Sequence, residues 1–291
     1  MFSGFTTEPV RANGITVRVC HGGSGPPVLL LHGYPQTHIM WHLVAPVLAR
    51  HFTVICPDLR GYGDSDKPAG GPDHEGYSKR TMARDQMAVM AALGFDRFAV
   101  AGHDRGGRVA LRMTLDHPEA VSRLAILDII PTKTIYETID KAHATTVWRY
   151  FFLTQPVGLP ERLIGSDPRY YLRYTLDEWC GTRGVPDAQA AAEYVRCFTS
   201  ATVRATCEDY RAGAGIDLAH DRADATRMLS CPVLVLWSGN GIGRAYDVER
   251  VWAERAPDLR GRALDCGHFL AEERPAETAA ELLTFFGEGT A

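Results

Sequence analysis

The sequence predicts an α/β fold in which a mostly parallel, eight-stranded sheet carries a helical cap inserted after the sixth strand. Three observations predict it. Apolar runs of strand length recur in both parts of the chain that flank residues 131–225, and that stretch itself contains no convincing buried strand. A strand, a tight glycine turn and a helix also follow one another around Asp104. With 291 residues, the chain is long enough for one large domain with such an insertion.

The predicted strands are of two kinds. Val10 to Val19 predicts a hairpin that turns at Asn13-Gly14, a strong type I′ signal. The run at 27–31 is continuously apolar, as expected of a strand buried on both faces of a sheet. Further strands are predicted at residues 52–56, 98–101, 124–128, 233–237 and 259–264. Helices are predicted at about 79–93 and about 275–286, from their apolar periodicity.

Residues 131–225, which separate the sixth predicted strand from the seventh, have an amphipathic helical pattern and many aromatic residues, including Trp148, Tyr170 and Tyr210. We therefore predict a helical cap at 131–225 over a core domain formed by residues 1–130 and 226–291. Most of the cap aromatics are expected inside the cap, and the remainder in the wall of a pocket between cap and core.

The composition excludes several classes of function. The net charge of −4 gives no electrostatic basis for binding nucleic acid. No apolar run is long enough to span a bilayer, and the residues after Met1 lack the basic and apolar regions of a signal peptide. Seven cysteines without CxxC pairs predict reduced thiols and a cytoplasmic protein.

No motif predicts a cofactor or a metal. The glycine-rich stretches at 58–65 and 239–243 lack the other residues of a P-loop or a dinucleotide-binding loop. His38 and His42 stand four residues apart, but no third metal ligand has suitable spacing. The predicted chemistry therefore depends on side chains alone.

Asp104 occupies the nucleophile position of a predicted nucleophile elbow. Residues Gly102 to Gly106 join a buried strand to a helix, and glycines beside the nucleophile suit so tight a turn. A carboxylate that attacks an acyl carbon would give an anhydride, whereas attack on a saturated carbon gives an ordinary alkyl ester. Asp104 therefore predicts displacement at saturated carbon, with a carbon–halogen bond or an epoxide as the target.

Asp128 and His268 complete the order nucleophile, acid, histidine that is typical of α/β hydrolases. Asp128 ends the sixth predicted strand, and Asp247, beyond the seventh, is the alternative acid. We expect the acid to orient His268, and His268 to activate a water molecule. The backbone N–H groups of Tyr34 and Arg105 are expected to form the oxyanion hole.

Arg105 and Arg108 lie on one side of the helix that follows the elbow. They either belong to a structural ion-pair network or form a fork that binds a substrate carboxylate. The fork is favoured because haloalkane dehalogenases and many epoxide hydrolases have Trp directly after the nucleophile, where this chain has Arg105.

Six motifs together resemble those of the fluoroacetate (haloacetate) dehalogenase family, over nearly the whole chain. They are HGYPQTHIMWH at 32–42, DLRGYGDSD at 58–66, GHDRGGR at 102–108, LDIIPT at 127–132, CEDYRAGA at 207–214 and GHFLAEERP at 267–275. The resemblance implies the α/β-hydrolase fold, a small haloacid substrate hydrolysed without a cofactor, and a homodimer.

The resemblance also implies roles for individual residues. These are Asp104 as nucleophile, Asp128 and His268 as its triad partners, Arg105 and Arg108 as carboxylate ligands, and Tyr210 as a donor to the leaving halide. The chain departs from the family at Arg149 and Tyr150, where the family has a His-Trp pair facing the departing fluoride. The donors at the leaving group are therefore altered, and we expect bromoacetate and chloroacetate to react faster than fluoroacetate.

Two other functions fit parts of the sequence. An epoxide hydrolase would use Tyr150 and Tyr210 to protonate the opening oxygen, but an uncharged epoxide gives Arg105 and Arg108 nothing to bind. A non-catalytic receptor for small ligands would use the same scaffold, but it has no need of an intact triad.

Overall fold

The computed structural model describes residues 1–288, and it contains the predicted eight-stranded sheet. The strands are β1 (Thr6–Ala12), β2 (Ile15–Gly23), β3 (Pro27–Leu31), β4 (Thr53–Pro57), β5 (Phe98–His103), β6 (Val121–Leu127), β7 (Val233–Ser238) and β8 (Leu259–Leu264). Their order in the sheet is β1-β2-β4-β3-β5-β6-β7-β8. The β1–β2 and β2–β4 pairs are antiparallel and the other five pairs are parallel. The predicted fold class is confirmed.

Fifteen α-helices accompany the sheet in the described residues. Those before the insertion are α1 (Ala45–Leu48), α2 (Lys79–Ala92) and α3 (Arg105–Asp116). Those between β6 and β7 are α4 (Thr132–Thr138), α5 (Lys141–Thr146), α6 (Arg149–Phe152), α7 (Leu159–Ser166), α8 (Pro168–Trp179), α9 (Ala188–Cys197), α10 (Ser200–Ala214) and α11 (Ile216–Ala223). The rest are α12 (Ile242–Ala245), α13 (Val248–Ala253), α14 (Leu270–Glu273) and α15 (Pro275–Gly287). Two short 3₁₀ segments lie at His38–Trp41 and Pro72–Tyr77.

The insertion after the sixth strand is helical throughout its regular elements, α4 to α11, as the absence of strand patterns predicted. The division into a cap at 131–225 and a core at 1–130 and 226–291 stays a prediction. The name "cap" is used below for residues 131–225.

The continuous apolar run of β3 has the expected structural basis, since both faces of this strand are covered. In β3, Val28 and Leu30 pack into one buried cluster while Leu29 and Leu31 pack into the other. All six residues of β5, at the centre of the sheet, are buried. The hairpin also forms as predicted, with positive φ at Asn13 and Gly14 as a type I′ turn requires.

The sheet topology brings the chemically important residues to one edge. The loop after β3 carries Tyr34, Asp104 follows β5, Asp128 follows β6 and His268 follows β8. The carboxyl ends of parallel strands meet at this edge, where open α/β sheets bind their ligands. None of the helices in residues 1–288 has the length and apolar character needed to cross a membrane.

Candidate active site

The elbow at Asp104 is built by close backbone packing. Asp104 has φ 46° and ψ −116°, a strained conformation for a residue with a side chain. A Cβ atom on Gly102 would lie 2.4 Å from the Gly106 carbonyl oxygen, and one on Gly106 would lie 2.3 Å from that of His32. Only glycine fits either position, so the spacing that predicted the elbow has a steric cause.

The Asp104 carboxylate is buried and lies between a backbone donor and a histidine. Its Oδ1 accepts a hydrogen bond of 2.9 Å from the Tyr34 N–H, and its Oδ2 lies 3.8 Å from Nε2 of His268. Burial alone would raise the pKa of Asp104, but the nearby His268, His103 and Arg105 and the Tyr34 N–H lower it below its ordinary value. Asp104 is therefore held as an anion.

The His268 imidazole joins the two acids. Its Nδ1 lies 2.6 Å from Oδ2 of Asp128. Its Nε2 is buried, has no hydrogen-bond partner among residues 1–288 and is the ring nitrogen nearest Asp104. Burial opposes a charge on the ring, but the Asp128 hydrogen bond and the charges of Asp128 and Asp104 outweigh it and raise the pKa of His268. The arrangement leaves Nε2 free to exchange a proton beside Asp104.

The backbone of His268 is held on both sides. Its N–H donates to the Trp179 carbonyl at 2.8 Å, and its carbonyl oxygen lies 2.7 Å from Nε2 of His103. Burial, helped by the neighbouring His268, lowers the pKa of His103 to about 4, so His103 is neutral and its Nε2–H donates to that carbonyl. His103 and Trp179 were not predicted as site residues.

Asp128 is positioned by the next strand of the sheet. Its Oδ1 accepts a 2.7 Å hydrogen bond from the Ser238 N–H, and its own N–H donates to Leu236 at 2.9 Å. Asp247 is exposed and accepts from the Arg250 N–H at the start of α13. The structure thus brings Asp128 to the imidazole and leaves Asp247 on the surface.

Arg105 is engaged in a buried ion-pair network, the interpretation that the sequence left as the alternative. Its Nε donates to Oδ2 of Asp209 at 2.9 Å, and its Nη2 donates to Oδ1 at 2.8 Å. Lys79 pairs with the same carboxylate, and Arg105 and Lys79 together hold the pKa of Asp209 well below its usual range against the effect of burial. The guanidinium also lies 4.3 Å from the ring centroid of Tyr210. A contact between Arg105 and substrate stays a prediction.

Arg108 is also buried, but its partners are neutral. Nη1 donates to the Ile130 carbonyl at 3.1 Å and to the Thr132 hydroxyl at 2.7 Å. Nη2 donates to the Tyr150 hydroxyl at 2.8 Å, and Nε has no partner in the part of the chain that the structure describes. The positive charge of Arg108 therefore lacks the carboxylate that Arg105 has.

Tyr210 of the cap packs against Tyr34 in the loop after β3, and Tyr150 packs against Tyr210. The rings of Tyr34 and Tyr210 meet edge to face with centroids 5.4 Å apart, and those of Tyr210 and Tyr150 with centroids 5.6 Å apart. The Tyr210 hydroxyl is buried and has no hydrogen-bond partner among residues 1–288. Burial raises the pKa of Tyr210, so this hydroxyl keeps its proton and can donate it in a hydrogen bond.

Arg149 is held inside the cap by cap residues. Its Nε donates to the Thr175 hydroxyl at 3.1 Å, and its Nη1 pairs with the Glu178 carboxylate. The guanidinium lies between indole rings, 4.4 Å from the centroid of Trp148 and 5.1 Å from that of Trp179. It is completely buried, and Nη2 has no partner in the described structure.

The two histidines weighed as a metal pair have separate partners. His38 contacts Asp58 at 2.8 Å, and His42 contacts Asp187 at 3.0 Å. Within residues 1–288, the ligand atoms of Asp64, Glu193 and Cys197 do lie close enough together to hold a metal ion. Both carboxylates already pair with the Arg196 guanidinium.

The fold and the elbow define a class of protein. A family model described as alpha/beta hydrolase fold matches residues 26–175. The chain belongs to the α/β-hydrolase family, and it is a hydrolase. The resemblance to the fluoroacetate dehalogenases that the motifs indicated is confirmed. The chain is 44% identical to a fluoroacetate dehalogenase of Burkholderia sp., with 99% of this chain and 96% of that protein covered.

Two further comparisons bear on the site. The chain is 36% identical to a soluble epoxide hydrolase of Corynebacterium sp. strain C12, covering 98% of this chain and 99% of that protein. In three dimensions it matches a crystal structure described as a "putative alpha/beta hydrolase" from Nostoc sp. PCC 7120, with a TM-score of 0.98 and 53% identity. That match covers 99% of this chain and 100% of the other.

Proposed function

We propose that this protein hydrolyses haloacetates, and 2-haloacids of the same kind, to glycolate or the matching 2-hydroxyacid and halide, through an ester on Asp104. The observation that carries the proposal is the charge of Arg108. Among residues 1–288, no carboxylate oxygen lies within 4.0 Å of its guanidinium nitrogens, although the side chain is only 4% exposed. The nearby Asp221 carboxyl interacts with Arg108 only from beyond ion-pair distance. A buried cation without an ion-paired carboxylate is costly, and an anionic substrate would offset that cost.

The substrate class follows from where this charge lies. Arg108 is one helical turn after Asp104, so a carboxylate bound to Arg108 lies close to the nucleophile. A haloacetate has its halogenated carbon directly next to its carboxylate. It can therefore bind Arg108 with one end and present the carbon–halogen bond to Asp104 with the other, whereas an uncharged epoxide leaves the cation uncompensated.

In the first half-reaction, Oδ2 of Asp104 attacks the carbon that carries the halogen. The new carbon–oxygen bond forms as the carbon–halogen bond breaks, and the halide leaves with the bonding electron pair. Oδ1 remains hydrogen bonded to the Tyr34 N–H at 2.9 Å and becomes the carbonyl oxygen of the ester. The Tyr210 hydroxyl, which is buried and unpartnered among the described residues, is a donor for the departing halide.

In the second half-reaction, Nε2 of His268 takes a proton from water, and the water oxygen adds to the carbonyl carbon of the Asp104 ester. The negative charge develops on Oδ1, where the N–H groups of Tyr34 and Arg105 stabilise it. The ester carbon–oxygen bond then breaks and the leaving alkoxide takes the proton from His268. The proton left on Asp104 is released, so haloacetate and water give glycolate, halide and one proton.

The charge on Asp104 changes between the two steps in a way that helps His268 to act as a base in the second. In the resting protein the negative charge of Asp104 is one of the causes that raise the pKa of His268. Alkylation turns Asp104 into a neutral ester and removes that cause. The imidazole then gives up a bound proton more readily, at the stage when it must act as a base.

The second candidate is an epoxide hydrolase with the same Asp104, His268 and Asp128. The epoxide hydrolase relative favours it, and so does the buried Tyr210 hydroxyl, which has no partner in the part of the chain that the structure describes. Incubation with fluoroacetate, chloroacetate and styrene oxide separates the two, with halide and diol as the products measured. Halide release without diol supports the dehalogenase, and diol without halide supports the epoxide hydrolase. Turnover of any of the three compounds excludes the non-catalytic receptor.

A homodimer is part of the proposal. Large exposed apolar side chains of the described chain are concentrated on the cap between residues 151 and 174, among them Val157, Leu163 and Tyr170. Such a surface is typical of a protein contact. Sedimentation of the purified protein tests this, and a monomer at micromolar concentration would contradict it.

A further inference from the structure

Glu273 lies outside the triad, yet its carboxylate binds the loop that carries His268. The side chain is 5% exposed. Its Oε1 accepts from the Phe269 N–H at 3.0 Å, and its Oε2 accepts from the Gly267 N–H at 3.0 Å. The residues on both sides of His268 are therefore hydrogen bonded to one buried anion.

The same carboxylate also binds the cap. Oε2 accepts from the Gly181 N–H at 2.9 Å and from the Thr182 hydroxyl at 2.9 Å. Four donors from two distant parts of the chain thus meet on Glu273. Each is a hydrogen bond to a charged acceptor, which is stronger than a bond between neutral groups.

The two segments touch through their backbones. A Cβ atom on Gly181 would lie 2.6 Å from the Gly267 nitrogen, and one on Gly267 would lie 2.3 Å from the Gly181 nitrogen. Directly beside this contact, the His268 N–H donates to the Trp179 carbonyl at 2.8 Å. The indole of Trp179 meets the His268 ring edge to face, with centroids 5.1 Å apart. The position of this cap segment and that of the imidazole are therefore linked.

We propose that Glu273 is a positioning residue that clamps the cap segment Trp179–Thr182 to the His268 loop and so sets the rate of ester hydrolysis. The inference rests on the proposed function, because it concerns the second half-reaction on Asp104. The clamp acts on that step selectively. Asp104 is held by β5, α3 and the Tyr34 N–H, none of which is hydrogen bonded to the Glu273 carboxylate within residues 1–288, whereas the residues on both sides of His268 are bound to it directly.

The Glu273→Gln variant tests the clamp, because an amide has one acceptor oxygen and its NH₂ group faces a donor. Rapid-quench mass spectrometry with chloroacetate measures formation and decay of the carboxymethyl ester on the peptide that contains Asp104. We expect ester decay to slow at least about tenfold while ester formation stays within about threefold, so ester accumulates. Glu277→Gln, the same change at an exposed glutamate of α15, should leave both rates unchanged.

Two additional variants make the result decisive. His268→Asn should trap the ester fully, and if it does not, the proposed function fails and the clamp fails with it. If His268→Asn traps the ester but folded Glu273→Gln slows both steps equally, or neither, the clamp alone is wrong. Thr182→Val removes one of the four hydrogen bonds and serves if Glu273→Gln does not fold. It should slow ester decay about threefold with unchanged formation, and an unchanged decay rate would overturn the proposal.

Discussion

Nη2 of Arg108 donates a 2.8 Å hydrogen bond to the Tyr150 hydroxyl, which joins a cation on the helix after the nucleophile to the cap. Tyr150 follows Arg149, where the motif resemblance implies a different pair of residues. If that pair faces the leaving group, as the proposed function has it, the difference affects a partner of Arg108 as well as a donor at the leaving group. The bond is neutral on its acceptor side, and it leaves the charge of Arg108 available to a substrate.

Replacing Arg108 with Leu should abolish the preference for anionic substrates. A buried charge-assisted contact contributes roughly 1.5–3 kcal/mol, so kcat/KM for chloroacetate should fall at least about tenfold. Chloroacetamide, which has the same carbon–chlorine bond but no charge, is the internal control and should lose much less. Equal losses for the two substrates would show that Arg108 is structural and would favour the epoxide hydrolase.

Asp128 should be far more sensitive to substitution than Asp247. Asp128→Asn removes the negative charge that orients His268, and turnover should fall about 10⁴-fold, as it does for the acid of a serine protease triad. Asp247→Asn is the matched control, because Asp247 is exposed and only begins α13. Steady-state halide release measures both variants. A larger effect at Asp247 would contradict the assignment of the acid.

The halogen preference should follow from the partners of Arg149. Fluoride is small and strongly hydrated, so its departure needs several donors directed at one point. Arg149 is instead bound to Thr175 and Glu178, and the Tyr150 hydroxyl accepts from Arg108. We expect bromoacetate and chloroacetate to react faster than fluoroacetate, with slow or undetectable release of fluoride.

A double variant tests the same two positions directly. Arg149→His with Tyr150→Trp restores the family's pair and should raise fluoroacetate activity relative to chloroacetate activity. The ratio of fluoride to chloride release is the measurement. An unchanged ratio, or a wild-type protein that releases fluoride as fast as chloride, would contradict this account of the leaving group.

Glu272 should make stability depend on pH. Its carboxyl group accepts from the Gln36 amide at 2.5 Å and from the Tyr194 hydroxyl at 3.0 Å, and burial, aided by Asp187, raises its pKa to about 8. The pKa of Glu272 is higher in the folded protein than in the unfolded one, where it is near 4.5. Protonated Glu272 therefore stabilises the fold, and this contribution to the free energy of unfolding is complete below about pH 4.5. It is lost as pH rises toward 8, by up to about 1.4 kcal/mol per unit.

Glu272→Gln cannot lose a proton and should remove this dependence. The free energy of unfolding, measured in urea between pH 5 and pH 8, should increase relative to wild type as pH rises. Other titrating groups are shared by the two proteins and cancel in the difference. A difference that is constant with pH would mean that Glu272 is ionised in the folded state throughout this range.

Residues fixed by the sheet could be predicted from the sequence, because their positions follow from strand order. Asp104, Asp128 and His268 each follow a strand, and parallel strands bring their carboxyl ends to one edge. The contact between Tyr34 N–H and Asp104 follows from the same topology. The apolar runs that mark the strands were therefore sufficient to predict that these residues meet.

The contacts across the cap could not be predicted in this way. Whether Arg105 binds a substrate or Asp209 depends on where α10 lies over the core, and the sequence has no periodicity that encodes that distance. Glu273 lies within the motif GHFLAEERP, but nothing in this motif indicates a bond to Gly181. Both contacts depend on how the cap is placed in three dimensions on the rest of the chain.

The measurement that tests the central claim most directly is a single turnover of chloroacetate in H₂¹⁸O with the protein in excess. If Asp104 forms the ester and water attacks its carbonyl carbon, the hydroxyl oxygen of glycolate comes from Asp104. The product is then unlabelled, and ¹⁸O appears in the peptide that contains Asp104. Glycolate carrying ¹⁸O, together with an unlabelled Asp104 peptide, would show direct attack by water on the substrate and would contradict the covalent mechanism.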